Sequence, residues 1–240
     1  METTFTTLKR EIVIRTAPER VWKALTVPEE RNRWETRSCL IELKVGGAIE
    51  LDYGWGVSYR GTITELVEPC RMVIADDENE LTIWTLEPHA EGTLVGIEYS
   101  GLWSGDLGIM LMENMAYGTY RFMTNMKSVL ESSQDIRSTF WKSWIGVNHI
   151  SYEGSQTKGV KVVQVIEGTP AEGVLQAGDI ITHLNMTGVQ SYDELEEKIT
   201  SMEPLEVLKI QYLRSGAVEV AQLVTVPFGQ RQEQVQPSAE

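Results

Sequence analysis

The sequence predicts an α+β protein of two consecutive units: an antiparallel sheet wrapped on a long C-terminal helix, then a partly open β-barrel with two helices. Three observations carry this. Between Cys39 and Ser100 short alternating apolar runs are punctuated by turn residues, the texture of an antiparallel meander. From Asp106 to Leu130 the residues Ile109, Met112, Met115, Ala116, Tyr120, Met123, Met126, Val129 and Leu130 recur at three and four, the spacing of one long amphipathic helix. After residue 140 the chain returns to short strands and turns around a brief helix at Pro170–Leu175 and a capped helix opened by Ser191.

Taken in order, Glu11-Ile12-Val13-Ile14 is an apolar, β-branched run and reads as a strand. Thr16-Ala17-Pro18-Glu19-Arg20 signals a helix start, and Val21, Trp22 and Leu25 give that helix one apolar face. A second short helix is expected from Pro28 to Trp34. The runs Ile49–Tyr53, Val57–Val67, Met72–Ala75, Leu81–Leu86 and Thr93–Tyr99 form hairpins. Turn signals at Gly46-Gly47, Gly54 with Gly56, Glu68-Pro69, Asp76–Asn79 and Pro88–Gly92 separate them. Tyr59, Gly61 and Ile63 share one face, as do Trp84 with Leu86, and Val95 and Ile97 with Tyr99. Arg60, Thr62, Thr64 and Glu98 lie on the other, so one side of the sheet is covered and one is wet. Gly118 weakens the long helix by about 1 kcal/mol relative to Ala.

Glu131-Ser132-Ser133-Gln134-Asp135 ends that helix in polar residues and marks a boundary. The expected division is 1–133, a linker 134–141, a second domain 142–228 and a disordered tail 229–240. Phe140 and Trp141 are apolar for a free linker and are expected to pack on one domain. In the second domain a strand runs through Asn148, His149 and Ile150, and another covers Val160–Ile166. A turn at Gly178 leads into Asp179-Ile180-Ile181, and Asn185–Val189 forms a small turn. The capping box Ser191-Tyr192-Asp193-Glu194 starts a helix to about Met202, with Leu195 and Ile199 four apart, and strands Val207–Leu213 and Val218–Val226 finish the fold.

With 240 residues and seven Trp, each unit can bury a core. A formal charge of −14 and the lack of any Lys/Arg run argue against non-specific binding to nucleic acid or anionic membranes. Cys39 and Cys70 make neither a disulfide framework nor a metal motif and read as reduced thiols. Met1-Glu2-Thr3-Thr4 lacks the order of a signal peptide. The greasiest segment, Ile109 to Met115, is interrupted by Glu113 and Asn114, so no run approaches the ~18 apolar residues of a membrane span. The expectation is a soluble, cytoplasmic protein without membrane insertion.

Several stretches are similar to the SRPBCC superfamily in its AHSA branch, the heat-shock ATPase activator-like proteins with a START/Bet v-like helix-grip fold. They are Arg10–Ile14, Ala17–Thr26, Pro28-Glu29-Glu30 with Trp34, Val45-Gly46-Gly47, Tyr59-Arg60-Gly61, and Gly92-Thr93 leading to Ser100-Gly101. The resemblance covers Leu8 to Leu130. It implies a sheet bent round the long helix, often over a hydrophobic cavity. The loop Trp144-Ile145-Gly146-Val147, with Pro170, Gly178–Ile181 and the Ser191 helix, resembles a PDZ domain of the bacterial HtrA-protease type over Lys142 to Phe228. That resemblance implies capture of a peptide's C-terminal carboxylate by the loop, with the peptide lying between the following strand and the capped helix.

Candidate cavity residues are Trp34, Trp55, Tyr59, Trp84, Tyr99, Trp103, Met112, Met115 and Tyr120; the alternative is that they simply fill the core. The PDZ resemblance assigns Trp144, Ile145, Gly146 and Val147 to the carboxylate, His149 to the strand, and Leu195, Lys198 and Ile199 to the facing helix. The alternative is a groove left empty or filled by the neighbouring domain. No His-Cys-Asp cluster, metal spacing or nucleophile motif appears, and His89 sits in a turn beside Glu87 and Glu91. No catalytic residue, metal or cofactor is therefore expected. The expected function is a non-enzymatic two-domain adaptor, holding a small apolar ligand or partner surface on one domain and a partner's C-terminal peptide on the other. The alternatives are a cyclase- or hydrolase-like enzyme with a PDZ appendage, and a co-chaperone activating a heat-shock ATPase.

Overall fold

Alternation of apolar and polar side chains along the first seven strands decides which face of their sheet is covered. The computed structural model describes residues 4–155 and 157–231, so 232–240 of the expected tail lie outside the described residues. Strands β1 (Thr4–Ile14), β2 (Ser38–Ile41), β3 (Ala48–Asp52), β4 (Ser58–Val67), β5 (Arg71–Ala75), β6 (Leu81–His89) and β7 (Gly92–Ser104) pair in the order β1-β7-β6-β5-β4-β3-β2. From β2 to β7 each pairs antiparallel with its chain neighbour. Register places Trp84 opposite both Met72 and Ile97, and Ile63 opposite Ile74, all of them buried. Arg60, Thr62 and Thr64 on the other face are exposed. β1 is longer than expected from the apolar run at 11–14, and β2 had no sequence signal of its own.

Helix α1 (Pro18–Thr26) opens with Pro in its first turn and buries Val21, Trp22, Ala24 and Leu25. The second helix, α2 (Pro28–Arg31), is shorter than expected, because residues 32–35 form turns. Helix α3 (Gly105–Ser132) is the long helix, and Phe122, Met123, Met126 and Val129 in its second half are buried.

The chain forms two compact units, and α3 contributes to both. One holds the residues up to Trp103 with Gly118–Ser138, and the other holds Ser104–Tyr117 with the residues from Thr139 on. This differs from a boundary after residue 133. The physical reason lies in the polar side chains of the first half of α3, whose partners belong to the second unit. Asp106 pairs with Lys161, Asn114 with Tyr192, and Tyr117 with Glu197. The start of the expected linker is tied to the first unit. The amide of buried Asn125 donates to Asp135 and accepts the Ile136 N–H, and Arg137 donates to the carbonyls of Asn32 and Thr36. Phe140 is buried, and Trp141 packs against Phe140 and Phe228 in the second unit.

The second unit contains β8 (Ser143–Trp144), β9 (Val147–Glu153), β10 (Lys158–Val165), β11 (Ile180–Leu184), β12 (Thr187–Gly188), α4 (Tyr192–Thr200), β13 (Val207–Arg214), β14 (Ala217–Val224) and β15 (Val226–Pro227). Its main sheet runs β14-β13-β11-β10-β9 with β12 on β11, while β8 pairs with β15. That path does not close, so β9 and β14 are end strands. Ile145, Val160, Val162, Leu195, Ile199 and Ile210 belong to one core. The expected helix at Pro170–Leu175 is instead a run of turns, since Gly173 takes a φ of +73°, outside the helical region. Buried Asp179 accepts two hydrogen bonds from Arg214, at 2.9 and 2.7 Å, and one from the Gln176 N–H, closing the turn before β11. Ser191 caps α4 through the Glu194 N–H, and Glu194 reaches back to the Gln190 N–H, one residue beyond the cap.

If the first half of α3 is integral to the second unit, a fragment of residues 104–231 should resist urea better than one of residues 139–231. The expected gap is about 1–3 kcal/mol, the worth of a few side-chain hydrogen bonds with their packing. Equal unfolding midpoints would place that half of α3 outside the unit.

Candidate functional site

Two places in the molecule collect polar side chains that the cores do not require. The first is the edge of β9 beside α4. Ile145 is buried, and its carbonyl accepts the Ala171 N–H while that of Gly146 accepts the Ile166 N–H, at 3.0 and 2.8 Å. Both carbonyls thus turn into the fold at the loop that feeds β9. Gly146 has a φ of +80°, and a Cβ there would lie 2.1 Å from the Thr169 hydroxyl oxygen. No other residue meets both demands.

Along β9, His149 is 1% exposed and stacks on Tyr192 of α4 with ring centroids 4.4 Å apart. Its Nε2 has no hydrogen-bond partner and lies 3.7 Å from a Glu196 carboxylate oxygen. Burial pushes the imidazole down to about 4. Two residues on, the Ser151 N–H donates to Glu113 Oε2 at 2.8 Å, and the Ser151 hydroxyl accepts the Tyr192 N–H at 2.9 Å. Asn114 donates to the Tyr192 hydroxyl at 3.0 Å.

The second place lies in the first unit. Arg31 is 1% exposed, its Nε donates to Glu35 at 2.6 Å, its Nη1 donates to the Leu25 carbonyl, and its guanidinium lies over the Trp34 ring. Trp34 donates to the Ala24 carbonyl and meets Trp84 edge to face at 6.4 Å. The Tyr53 and Tyr99 hydroxyls are buried close enough to feel Glu35. Burial first, with that carboxylate's charge adding, pushes both well above the usual phenol range. Tyr99 shares a hydrogen bond with Thr119 at 3.0 Å, and Tyr59 approaches Thr82 at 3.5 Å. An open cleft of 740 Å³ lies between the β2–β4 strands and the Asp76–Glu78 turn; Cys39, Leu51 and Tyr59 border it, but most of its walls are polar or charged, with Glu50, Asp52 and Arg60 among them. Burial also raises the Cys39 thiol. Among the described residues no group of three or more His, Cys, Asp or Glu is placed to hold a metal ion, and no helix is long and apolar enough to cross a membrane.

The family model described as PDZ domain matches residues 105–225, half of the chain. This chain belongs to the PDZ-domain family. The model described as Activator of Hsp90 ATPase homolog 1-like protein matches residues 15–131, so the sheet and long helix are AHSA1-like. No curated protein matches the chain. Among solved structures, a protein of Staphylococcus saprophyticus superposes at 16% identity with a TM-score of 0.50, over 55% of this chain and 96% of its own. An AHSA1-like protein from Aeromonas hydrophila has 22% identity and a TM-score of 0.46, over 53% and 93%. The Aha1 dimer from Colwellia psychrerythraea has 18% identity and a TM-score of 0.49, over 54% and 99%. At this identity the first of these speaks for the fold alone.

Within the PDZ part, Ile145, Leu195 and Ile199 are core residues at 1%, 0% and 4% exposure, whereas Val147 and Lys198 are half-buried. Trp144 turns its indole to the Gln230 carbonyl and to Phe228. In the AHSA1-like part Trp34 and Trp84 are buried, and Tyr59, Tyr99 and Trp103 are half-buried. Trp55 is exposed, stacks on Phe122 and meets Tyr53 at a tilt, and Tyr120 is exposed too. Met112 and Met115 fall in the half of α3 that belongs to the PDZ unit. Sequence reasoning missed Arg31, Glu35, Tyr53, Ser151, Tyr192 and Glu196. The spacing of Arg31 and Glu35 was a usable signal for an ion pair, and so were Glu113 and Asn114 breaking an apolar run. Nothing marked Ser151.

Two measurements check this geometry. His149 takes up a proton near pH 6.5 in the unfolded chain but only near 4 in the fold. Stability should therefore fall as pH drops from 6.5 to 4, by roughly 3 kcal/mol from this group. His149→Phe should flatten that part of the urea-stability profile, and an unchanged slope would contradict the burial argument. Glu35→Ala should cost about 3–5 kcal/mol by leaving Arg31 buried without its carboxylate. The double substitution Arg31→Met with Glu35→Leu should recover most of that loss.

Proposed function

We propose that the protein is a non-enzymatic two-domain adaptor whose PDZ domain takes the C-terminal peptide of a partner along β9. The observation that carries this reading is that β9 is an end strand starting at the Ile145–Gly146 loop and flanked by α4. A peptide adding to it gains backbone hydrogen bonds that are indifferent to sequence. Its carboxylate would lie at the N–H groups of the loop, whose carbonyls are already committed inward. Specificity then rests on the last side chain, an apolar one beside Val147. Burying a Val or Leu is worth about 1.5–3 kcal/mol, and after ordering costs the affinity should be micromolar.

A specific observation also supports a ligand on the AHSA1-like domain. The Tyr53, Tyr59 and Tyr99 hydroxyls gather near the Arg31–Glu35 pair, and Tyr59 also borders the open cleft. The walls of the cleft are mainly polar and acidic, Asp52, Asp76, Asp77 and Glu78 among them, so a small polar or cationic molecule fits it better than the expected apolar ligand. Activation of a heat-shock ATPase is a property in the matching family's description, and it remains the rival for this domain.

Fluorescence anisotropy with ten-residue peptides tests the PDZ reading. Peptides ending in free Val, Leu, Ile or Phe should bind at micromolar concentrations. The same peptides with an amidated C-terminus, or ending in Asp, should bind at least about tenfold more weakly. Binding that survives amidation would remove the carboxylate from the mechanism.

A further inference from the structure

We propose that the Gly105–Tyr117 stretch of α3 is a cis-acting lock on the β9–α4 groove, which a peptide has to open in order to pair with β9. The inference rests on the peptide-capture reading. A strand adding to β9 needs the outward N–H groups of that strand. Ser151 shows which they are: its N–H points away from β10 and is already taken by Glu113 Oε2 at 2.8 Å. His149 lies two residues away in the same uninterrupted stretch of the β9–β10 register, so its N–H faces the same edge. Glu113 therefore sits where a peptide carbonyl would accept.

The groove is also narrowed from inside. The His149 ring is stacked under Tyr192, and the Tyr192 N–H is bonded to the Ser151 hydroxyl, which bridges β9 directly to α4. Asn114 holds the Tyr192 hydroxyl from above, and the Tyr117 hydroxyl donates to Glu197 on the same helix. The strand edge is thus capped by Glu113, the His149 and Tyr192 rings stack between β9 and α4, and Tyr192 is held by Asn114 of α3.

Release of the stretch has to break α3 near the C-terminal end of the stretch, and a glycine stands there. Gly118 follows Tyr117 directly, and a Cβ added there meets nothing within 4 Å. No packing demand explains the glycine, so its effect is to lower the cost of breaking the helix at that point. At the other end Gly105 takes a φ of +64°, which sets a second break where the stretch begins.

Opposed substitutions in the full chain test the lock, using a free Val-ended peptide and its amidated counterpart as probes. Glu113→Ala keeps a good helix former on the half-buried face of α3 but frees the Ser151 N–H, and should tighten binding of the free peptide about tenfold. Gly118→Ala fits its site without contact, stiffens the closed helix, and should weaken binding about fivefold. Circular dichroism confirms that both variants remain folded. Equal affinities in all three proteins, with amidation still abolishing binding, would overturn the lock and leave peptide capture standing. No binding of the free peptide to any of the three, Glu113→Ala included, would overturn capture and the lock together.

Discussion

An end strand carries a row of backbone N–H and C=O groups that its own sheet cannot satisfy, and burying such a group without a partner costs about 1–3 kcal/mol. β9 is one of the two end strands of the main PDZ sheet, and side chains of α3 and α4 meet it along its edge. Ser151 is where the constraint is met. Its N–H is satisfied by Glu113 and its hydroxyl satisfies the first N–H of α4, so one residue joins three elements. A carboxylate side chain can meet the need because it accepts as a backbone carbonyl does.

The AHSA1-like unit faces a different constraint, a charge inside a core. Taking a guanidinium out of water is costly unless it is paired and its remaining protons are accepted. Arg31 has Glu35, the Leu25 carbonyl and the Trp34 face around it, and Trp34 is in turn held by the Ala24 carbonyl. Asn125 of α3 donates to the Trp34 carbonyl, so the second half of the long helix and the turn after α2 share one polar network inside an apolar shell. A fully satisfied network of this kind specifies one arrangement of α2 against α3, where a purely apolar contact would tolerate sliding. Burial first, and the Glu35 charge after it, raise the Tyr53 and Tyr99 phenols, while the Arg31 charge opposes the shift.

Helix α3 serves both constraints through the pattern of its own residues. Its second half presents Met123, Met126 and Val129 to the core. Its first half interrupts the apolar run with Asp106, Glu113 and Asn114, each of which meets a partner in the PDZ unit. Those interruptions weakened the amphipathic pattern in the sequence. In the structure they are what the helix contributes, because an apolar side chain at 113 would leave the Ser151 N–H unsatisfied.

Local regularities fixed by chemistry along the chain were legible without coordinates. The alternation around Trp84 and Ile97 gave the covered face of the first sheet, the three-and-four spacing gave α3, and Ser191 with Glu194 gave the start of α4. Each depends on residues within a few positions of one another, where the periods of strand and helix dictate which side chains share a face. What tertiary structure alone decided lies at long separation in the chain. Tyr192 and Ser151 stand 41 residues apart and Glu113 and Ser151 38 apart, and no period connects them. The burial of Leu195 and Ile199 in the core, and the assignment of half of α3 to the PDZ unit, are of the same kind. Side-chain spacing says that a helix has an apolar face and a few polar residues upon it. Which surface satisfies those polar residues depends on where the chain has brought unsatisfied backbone, and that is a property of the assembled fold.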